Sequence, residues 1–428
     1  MEKKIISLLC CGMITAAAQA QNFDQYFEDN TLRLDYIFAG DHSSQHIYVD
    51  ELNKTPHWAG RRHKLAELPL EGNGQIIVKD KATGQIIYKH SFSTLFQEWL
   101  NEEEATQTQK SFENCFQIPF PKEPVTVNVK LFNNRREVMT EYTHTVDPND
   151  ALIAHKGFKE TTPYKVMLNN GKPEDCIDVV FVAEGYTKDE MDIFYKDVER
   201  GMNSIFKHSG FKDNKDKFNI IAVAAESKES GVSIPQKEDW KTTAVSSHFN
   251  TFYSARYLTT LHLKELNNLL AGIPYEHIII LANTEQYGGG GIYNSYTLTT
   301  AHHKSFEPVV AHEFGHSFVG LADEYFYDDE FEPTYPKDIE PWEPNITTLA
   351  DFDSKWKTML PANTKIPTTP TKKLEDIYTK VGVYEGAGYS SKGVYRPVEE
   401  CRMKINEAPD FCPVCASAVE NIISFYTK

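Results

Sequence analysis

Alternating and helical spacings of apolar residues divide the chain into two stretches of different texture. In the first, Val125, Val127, Val129 and Leu131 alternate with polar neighbours, which gives a strand one buried face. Residues 75–78 and 85–88 flank a turn ending on Gly84 and read as a hairpin. Short strands and turns of this kind predict an all-β sandwich over residues 21–150. A linker follows at residues 146–165, and then strand and helix signals alternate. Residues 178–183 are a continuous apolar run. Thr187-Lys188-Asp189-Glu190 has the form of a capping box, and Met191, Phe194, Tyr195, Val198, Met202, Ile205 and Phe206 repeat at helical spacing. Residues 218–225 read as a second strand, 246–270 as largely helical and 277–282 as a third strand. The order predicts a mostly parallel sheet with crossover helices, an α/β domain over residues 151–428. Phe249, Tyr253 and Tyr257 read as core positions of the second helix. Val309, Val310, Phe314 and Phe318 bury a helix at 306–319, residues 361–370 read as loop, and 416–426 as a closing helix.

Composition sharpens this picture in three respects. A length of 428 residues exceeds the usual size of one core, so two domains are expected, and apolar and charged fractions of 40% and 25% are those of a globular protein. A formal charge of -17 argues against nucleic acid or an anionic membrane surface as partner. Residues 1–20 carry Lys3 and Lys4, an apolar run and the small-residue pattern Ala18-Gln19-Ala20 before Gln21, which reads as a secretory signal and predicts an exported protein. Cys10 and Cys11 within it raise a lipoprotein anchor, but the Leu8-Leu9-Cys10 sequence lacks the small residue that lipidation needs. No second long apolar run follows, so no membrane span is expected.

Candidate chemistry concentrates in Ala311-His312-Glu313-Phe314-Gly315-His316-Ser317-Phe318-Val319-Gly320-Leu321-Ala322-Asp323-Glu324-Tyr325. On a helix, His312 and His316 lie one turn apart on the same face, so two imidazoles can meet one metal ion with Glu313 beside it as general base. Imidazole and carboxylate suit zinc, and a catalytic zinc site keeps three protein ligands and an open position. Gly320 can break the helix, and Asp323 and Glu324 lie just past the break. Asp323 is the expected third ligand, with Glu324 next and a more distant glutamate after it. In zincins with an extended motif the glycine falls three residues after the second histidine and the third ligand six. Here Gly320 is four after His316 and Asp323 seven, a departure of one.

Other features are weaker. The four glycines 288–291 lack the lysine and hydroxyl residue of a phosphate loop; beside a metal cleft they would let another backbone approach, with the strand after them as a sheet edge for an extended peptide. Asp328, Asp329, Glu330 and Glu332 read as a solvated acidic loop. Asn345-Ile346-Thr347 has the glycosylation pattern. Trp58, Arg61, Arg62 and His63 read as a surface loop. Cys115, Cys176, Cys401, Cys412 and Cys415 follow the signal; a bridge from Cys401 to Cys412 or Cys415 is favoured, because Cys412-x-x-Cys415 with one further cysteine and no nearby histidine is a poor structural zinc set.

The segment from His312 to Tyr325, together with Cys401-Arg402-Met403, Phe411-Cys412-Pro413-Val414-Cys415 and Asp178 to Thr187, resembles the immunoglobulin-A peptidase family of zinc metallopeptidases. The resemblance implies an α/β (α+β) zincin or metzincin-like catalytic domain after an amino-terminal sandwich, with His312 and His316 as ligands, Glu313 as base and Met403 as the methionine-turn residue under the metal. Tyr389 and Tyr395 lie upstream of it; a phenol here could donate to a developing oxyanion, and Tyr395 is preferred for that role. The family leaves the substrate open to a protein or peptide, host immunoglobulin among them. The rival readings are a surface protein that binds glycan or protein with an inactive or auxiliary zinc fold, and a zinc hydrolase of non-protein amide bonds such as peptidoglycan crosslinks.

Overall fold

The computed structural model describes residues 22–327, 334–371 and 373–427. The signal segment 1–20 and the acidic run 328–332 lie outside them. The chain is mixed α/β, with a strand-rich amino-terminal region. Two four-stranded sheets form there, one ordered Lys110–Pro121, Phe27–Gly40, Gln45–Pro56 and Ala154–His155, the other Ile86–Phe92, Gly74–Asp80, Val125–Phe132 and Val138–Val146. The predicted hairpin is present, with Gly84 at a φ of +72° closing its turn. Leu32, Leu34, Tyr36 and Phe38 of one sheet share a core with Ile76, Val78 and the alternating valines of the other, and the Phe92 and Phe116 rings meet at 4.2 Å.

Residues 31–36 of strand Phe27–Gly40 are buried on both faces, and Thr31 and Arg33 of the second face lie beside Asn267, Leu270 and Tyr275 of the carboxy-terminal part of the chain. That face carries the ion pair Arg33–Asp35 at 2.7 Å, with Asn53 also donating to Asp35. The core then runs on without a break into Val180, Val182, Leu266 and Ile280. Trp58 and Arg61 are buried, not a surface loop: Trp58 Nε1 donates to the Arg61 carbonyl, and the Arg61 guanidinium lies over the Tyr88 and Phe425 rings, joining the region to the last helix.

The second part is built on a six-stranded sheet ordered Gly289–Ile292, Tyr296–Thr300, His277–Ala282, Ile177–Glu184, Phe218–Val223 and Tyr164–Leu168. The inner four are parallel and both outer strands antiparallel. The capping box forms, with Glu190 Oε2 accepting from the Thr187 amide at 2.8 Å, and starts helix Met191–Ile205. Residues 246–270, by contrast, are helical only over Leu263–Leu269 apart from a 3-10 turn at Thr251–Tyr253. Just before and at the start of this segment the fully buried Glu184 carboxylate accepts from the Val245 and Ser247 amides and the Thr243 and Ser247 hydroxyls. Of the three aromatics read as core there, only Phe249 is; Tyr253 is exposed and Tyr257 faces the cleft described below.

A small sheet of Phe326–Tyr327, Tyr389–Arg396 and Tyr384–Ala387 and the helix Pro413–Tyr426 complete the chain. Among the described residues no helix is long and apolar enough to cross a membrane. His277, at the start of its strand, is buried between the Phe318 and Tyr426 rings, and burial pushes its pKa down to about 3. Because this lies below the ordinary value of about 6.5, the unfolded chain protonates first, and the His277 contribution to stability is lost as the pH falls from about 6.5 towards 3. Relative to a His277→Gln variant, the parent should lose about 2 kcal/mol of unfolding free energy between pH 7 and pH 5, measured by urea denaturation. A difference independent of pH would mean that the imidazole takes up its proton in the folded state.

Candidate metal centre

Helix Phe306–Phe314 passes into a π-helical turn Gly315–Val319, and Gly320 at a φ of +69° ends it. The amides of Gly320 and Leu321 donate back to the carbonyls of His316 and Gly315 at 3.0 and 3.1 Å, which satisfies the last turn and reverses the chain. The reversal brings Asp323 under the two histidines. His312 Nε2 and His316 Nε2 are 3.0 Å apart, and Asp323 Oδ1 lies 3.2 Å from the first and 3.3 Å from the second. The three atoms outline one triangular face of a small tetrahedron.

Each member is held from behind. His312 Nδ1 donates to the Arg402 carbonyl at 3.0 Å and His316 Nδ1 to the Leu321 carbonyl at 2.6 Å, while Asp323 Oδ2 accepts from the Tyr389 hydroxyl at 2.6 Å. The Arg402 segment is itself anchored: its guanidinium Nε donates to His208 Nε2 at 3.1 Å and Nη1 to the Asn406 carbonyl at 2.7 Å. Burial works against the charge on Asp323, yet the imidazoles of His316 and His312 hold its carboxyl well below the usual carboxylate range. In turn, against the effect of burial, Asp323 lifts His316 to about 9. With these imidazoles nearby, Glu313 still sits above the ordinary glutamate value, because it is deeply enclosed.

Above this group runs the glycine strand Gly289–Ile292. It is itself the sheet edge, met on its outer side by a single bridge from Tyr257 to Gly289, and the strand after it, Tyr296–Thr300, lies inside the sheet, so the expected edge moves by one strand. Glycine is required by proximity at Gly291, where a Cβ would stand 2.2 Å from the Glu313 carbonyl oxygen; one at Gly289 would stand 3.0 Å from Glu313 Oε1, close enough to press on that carboxylate. Below the helix, Met403 is fully buried, with its sulfur 2.9 Å from where a Gly315 Cβ would be.

The triad opens on a cleft of about 1280 Å³. His312, Glu313, His316, Asp323 and the glycine strand line it, and so do Asn73, Glu98 and Arg136 from the amino-terminal region, in which the sequence showed no chemistry. Glu98 is bonded to the Tyr257 hydroxyl, and enclosure lifts its pKa to about 7. Tyr395 does not line the cleft; its backbone pairs with Thr347 on the small sheet, and the tyrosines at the triad are Tyr325, which faces Asp323, and Tyr389. The available signal was Gly386-Ala387-Gly388, a turn with positive φ at both glycines and at Tyr389 that swings this side chain inward. Glu324 turns away from the histidines, towards Cys415 and Asn345. Asn345 is wholly buried, clamping Ala322 and Glu324, so the asparagine of the glycosylation pattern is an internal strut. The favoured cysteine bridge is absent: all five cysteines of the described residues are free, with Cys401 Sγ 3.8 Å from Cys415 Sγ.

Residues 166–377 and 373–423 match the family model described as IgA Peptidase M64, and residues 22–143 match that of the Peptidase M64 N-terminus. A comparison with curated proteins found no match.

The packing of the edge strand on the helix has a direct test. A Gly291→Ala substitution should lower the unfolding free energy by about 1–3 kcal/mol, because backbone has to move to admit the methyl group. An unchanged thermal midpoint would mean that the strand is not held against Glu313.

Proposed function

The chain belongs to the IgA peptidase M64 family and so to a family of metallopeptidases, and from that premise we propose that it is an exported zinc endopeptidase. The observation that carries the metal assignment is the triangle of His312 Nε2, His316 Nε2 and Asp323 Oδ1, with edges of 3.0 to 3.3 Å. Ligand bonds of about 2.0–2.1 Å in a tetrahedron put donors roughly 3.3 Å apart, so the donor set fits zinc in spacing as well as in chemistry. Asp323 Oδ1 is moreover buried and faces both histidine Nε2 atoms, at 3.2 and 3.3 Å, as a ligand oxygen would. Zinc, when bound there, lowers the pKa of water and polarises a carbonyl as a Lewis acid.

This chain's own residues supply the rest. Glu313 takes the proton of the attacking water on a side-chain carboxylate oxygen and passes it to the departing amine, the work of a general base that becomes a general acid. Tyr389, through Asp323, orients a ligand. The edge strand Gly289–Ile292 receives the substrate as an extended peptide, whose backbone hydrogen bonds give affinity without demanding a sequence. Such a site takes a protein or peptide, with host immunoglobulin one candidate substrate. The amino-terminal residues 21–150 act as a sandwich domain that walls the cleft, and residues 1–20 direct export.

Zinc content and cleavage of a mixed protein panel, measured together for the parent and Glu313→Ala, test this reading. Zinc in both, with cleavage at least about 100-fold weaker in the variant, is expected. Zinc in both with cleavage in neither would favour a binding protein, and cleavage of cell-wall fragments alone would favour the amide hydrolase. In the same assay Tyr389→Phe should weaken zinc binding by about tenfold in competition with a chelator, the usual cost of losing a hydrogen bond behind a ligand.

A further inference from the structure

On the far side of the Asp323 loop, Glu324, Cys401, Cys412 and Cys415 converge from three separate segments. One ligand atom of each lies within 4.8 Å of all the others, and all four residues are buried. Cys401, Cys415 and Glu324 are wholly enclosed. We propose that these four residues hold a second zinc ion in a closed, structural site, distinct from the catalytic centre and independent of whether that centre binds zinc.

Spacing is the first argument. Zinc–sulfur bonds of about 2.3 Å in a tetrahedron separate the sulfurs by roughly 3.8 Å, against about 2.05 Å across a disulfide. Cys401 Sγ and Cys415 Sγ are 3.8 Å apart. The second argument is an orphaned oxygen. Glu324 Oε1 accepts from Asn345 at 3.0 Å and faces Cys415 Sγ at 3.2 Å, whereas Oε2 is buried with no hydrogen-bond partner. A disulfide between two of the cysteines would leave that oxygen and the third thiol without a partner; a metal ion satisfies both.

Backbone donors face two of the three sulfurs. The Cys412 amide donates to Cys401 Sγ at 3.2 Å and the Cys415 amide to Cys412 Sγ at 3.5 Å. Cys412 caps the N-terminus of helix Pro413–Tyr426, where the helix dipole favours negative charge. Three thiolates and a carboxylate around a dication leave a net negative site, and Arg396, Arg402 and Lys404 lie close enough to feel the charge of Glu324 or Cys401. Four protein ligands with no open position mark a structural and not a catalytic zinc.

Its place in the chain gives it a role. Glu324 follows Asp323, and its amide donates to the Met403 carbonyl at 2.9 Å, while Cys401 precedes Arg402, the residue that fixes His312. The ion would staple the Asp323 loop to the floor segment and to the last helix, and so hold the catalytic triangle from below.

The test measures metal per chain in the full-length protein and in a His312→Ala/His316→Ala double variant, with alkylation of Cys401, Cys412 and Cys415 after denaturation without reductant. We expect two zinc ions in the parent, one in the double variant, none when Cys412→Ser is added to it, and all three cysteines alkylated. One zinc that survives the histidine changes would leave this site standing and remove the catalytic metal. Absence of zinc from a folded double variant, or a Cys401, Cys412 or Cys415 pair resistant to alkylation in the parent, would overturn the proposal, and the parent measurement stands even where a variant fails to fold.

Discussion

The structure depends on what the far sides of two imidazoles are doing. His312 Nδ1 and His316 Nδ1 each face a backbone carbonyl, which can only accept, so each keeps its proton there. The Nε2 atoms are thereby committed to one point in space, and the turn at Gly320 delivers Asp323 Oδ1 to the same point. Three side chains have to keep their atoms on one point, so the surrounding fold has to be rigid enough to hold them there. The π-helical last turn, the Met403 floor and the clamp of Asn345 on both sides of Asp323 are that rigidity.

Rigidity reaches further than the helix. The strand-rich amino-terminal region shares one core with the parallel sheet, and it contributes Glu98 and Arg136 to the cleft. The buried Glu184 gathers four donors from residues 243–247, at the start of the irregular segment that carries Tyr257 to Glu98. The cleft therefore has walls from both ends of the chain, and a peptide on the glycine strand would run between them.

What could be read from sequence was whatever is local. The spacing of His312, Glu313 and His316 on one helix, the capping box at Thr187 and the alternation of Val125 to Leu131 each need only a few neighbouring residues. Asp323 was within reach because it lies seven residues past His316 and a glycine turn joins them. Contacts made across the fold were hidden: Tyr389 instead of Tyr395 at the triad, the glycines themselves as the edge strand, and Glu98 from the first region. Glu324 illustrates the limit well. By sequence it competes with Asp323 for the same ion, but the turn sends adjacent side chains to opposite sides, and its partners, Cys401, Cys412 and Cys415, are almost eighty residues or more away.

The proposed chemistry requires a metal between His312, His316 and Asp323 at the end of this helix. A crystal structure of the zinc-loaded protein, with anomalous diffraction recorded on both sides of the zinc edge, tests it most directly. An anomalous peak is expected within about 2.2 Å of His312 Nε2, His316 Nε2 and Asp323 Oδ1, with Glu313 beside it and not bound. A peak held by another carboxylate in place of Asp323, or none at the histidines in a crystal that carries zinc elsewhere, would contradict it.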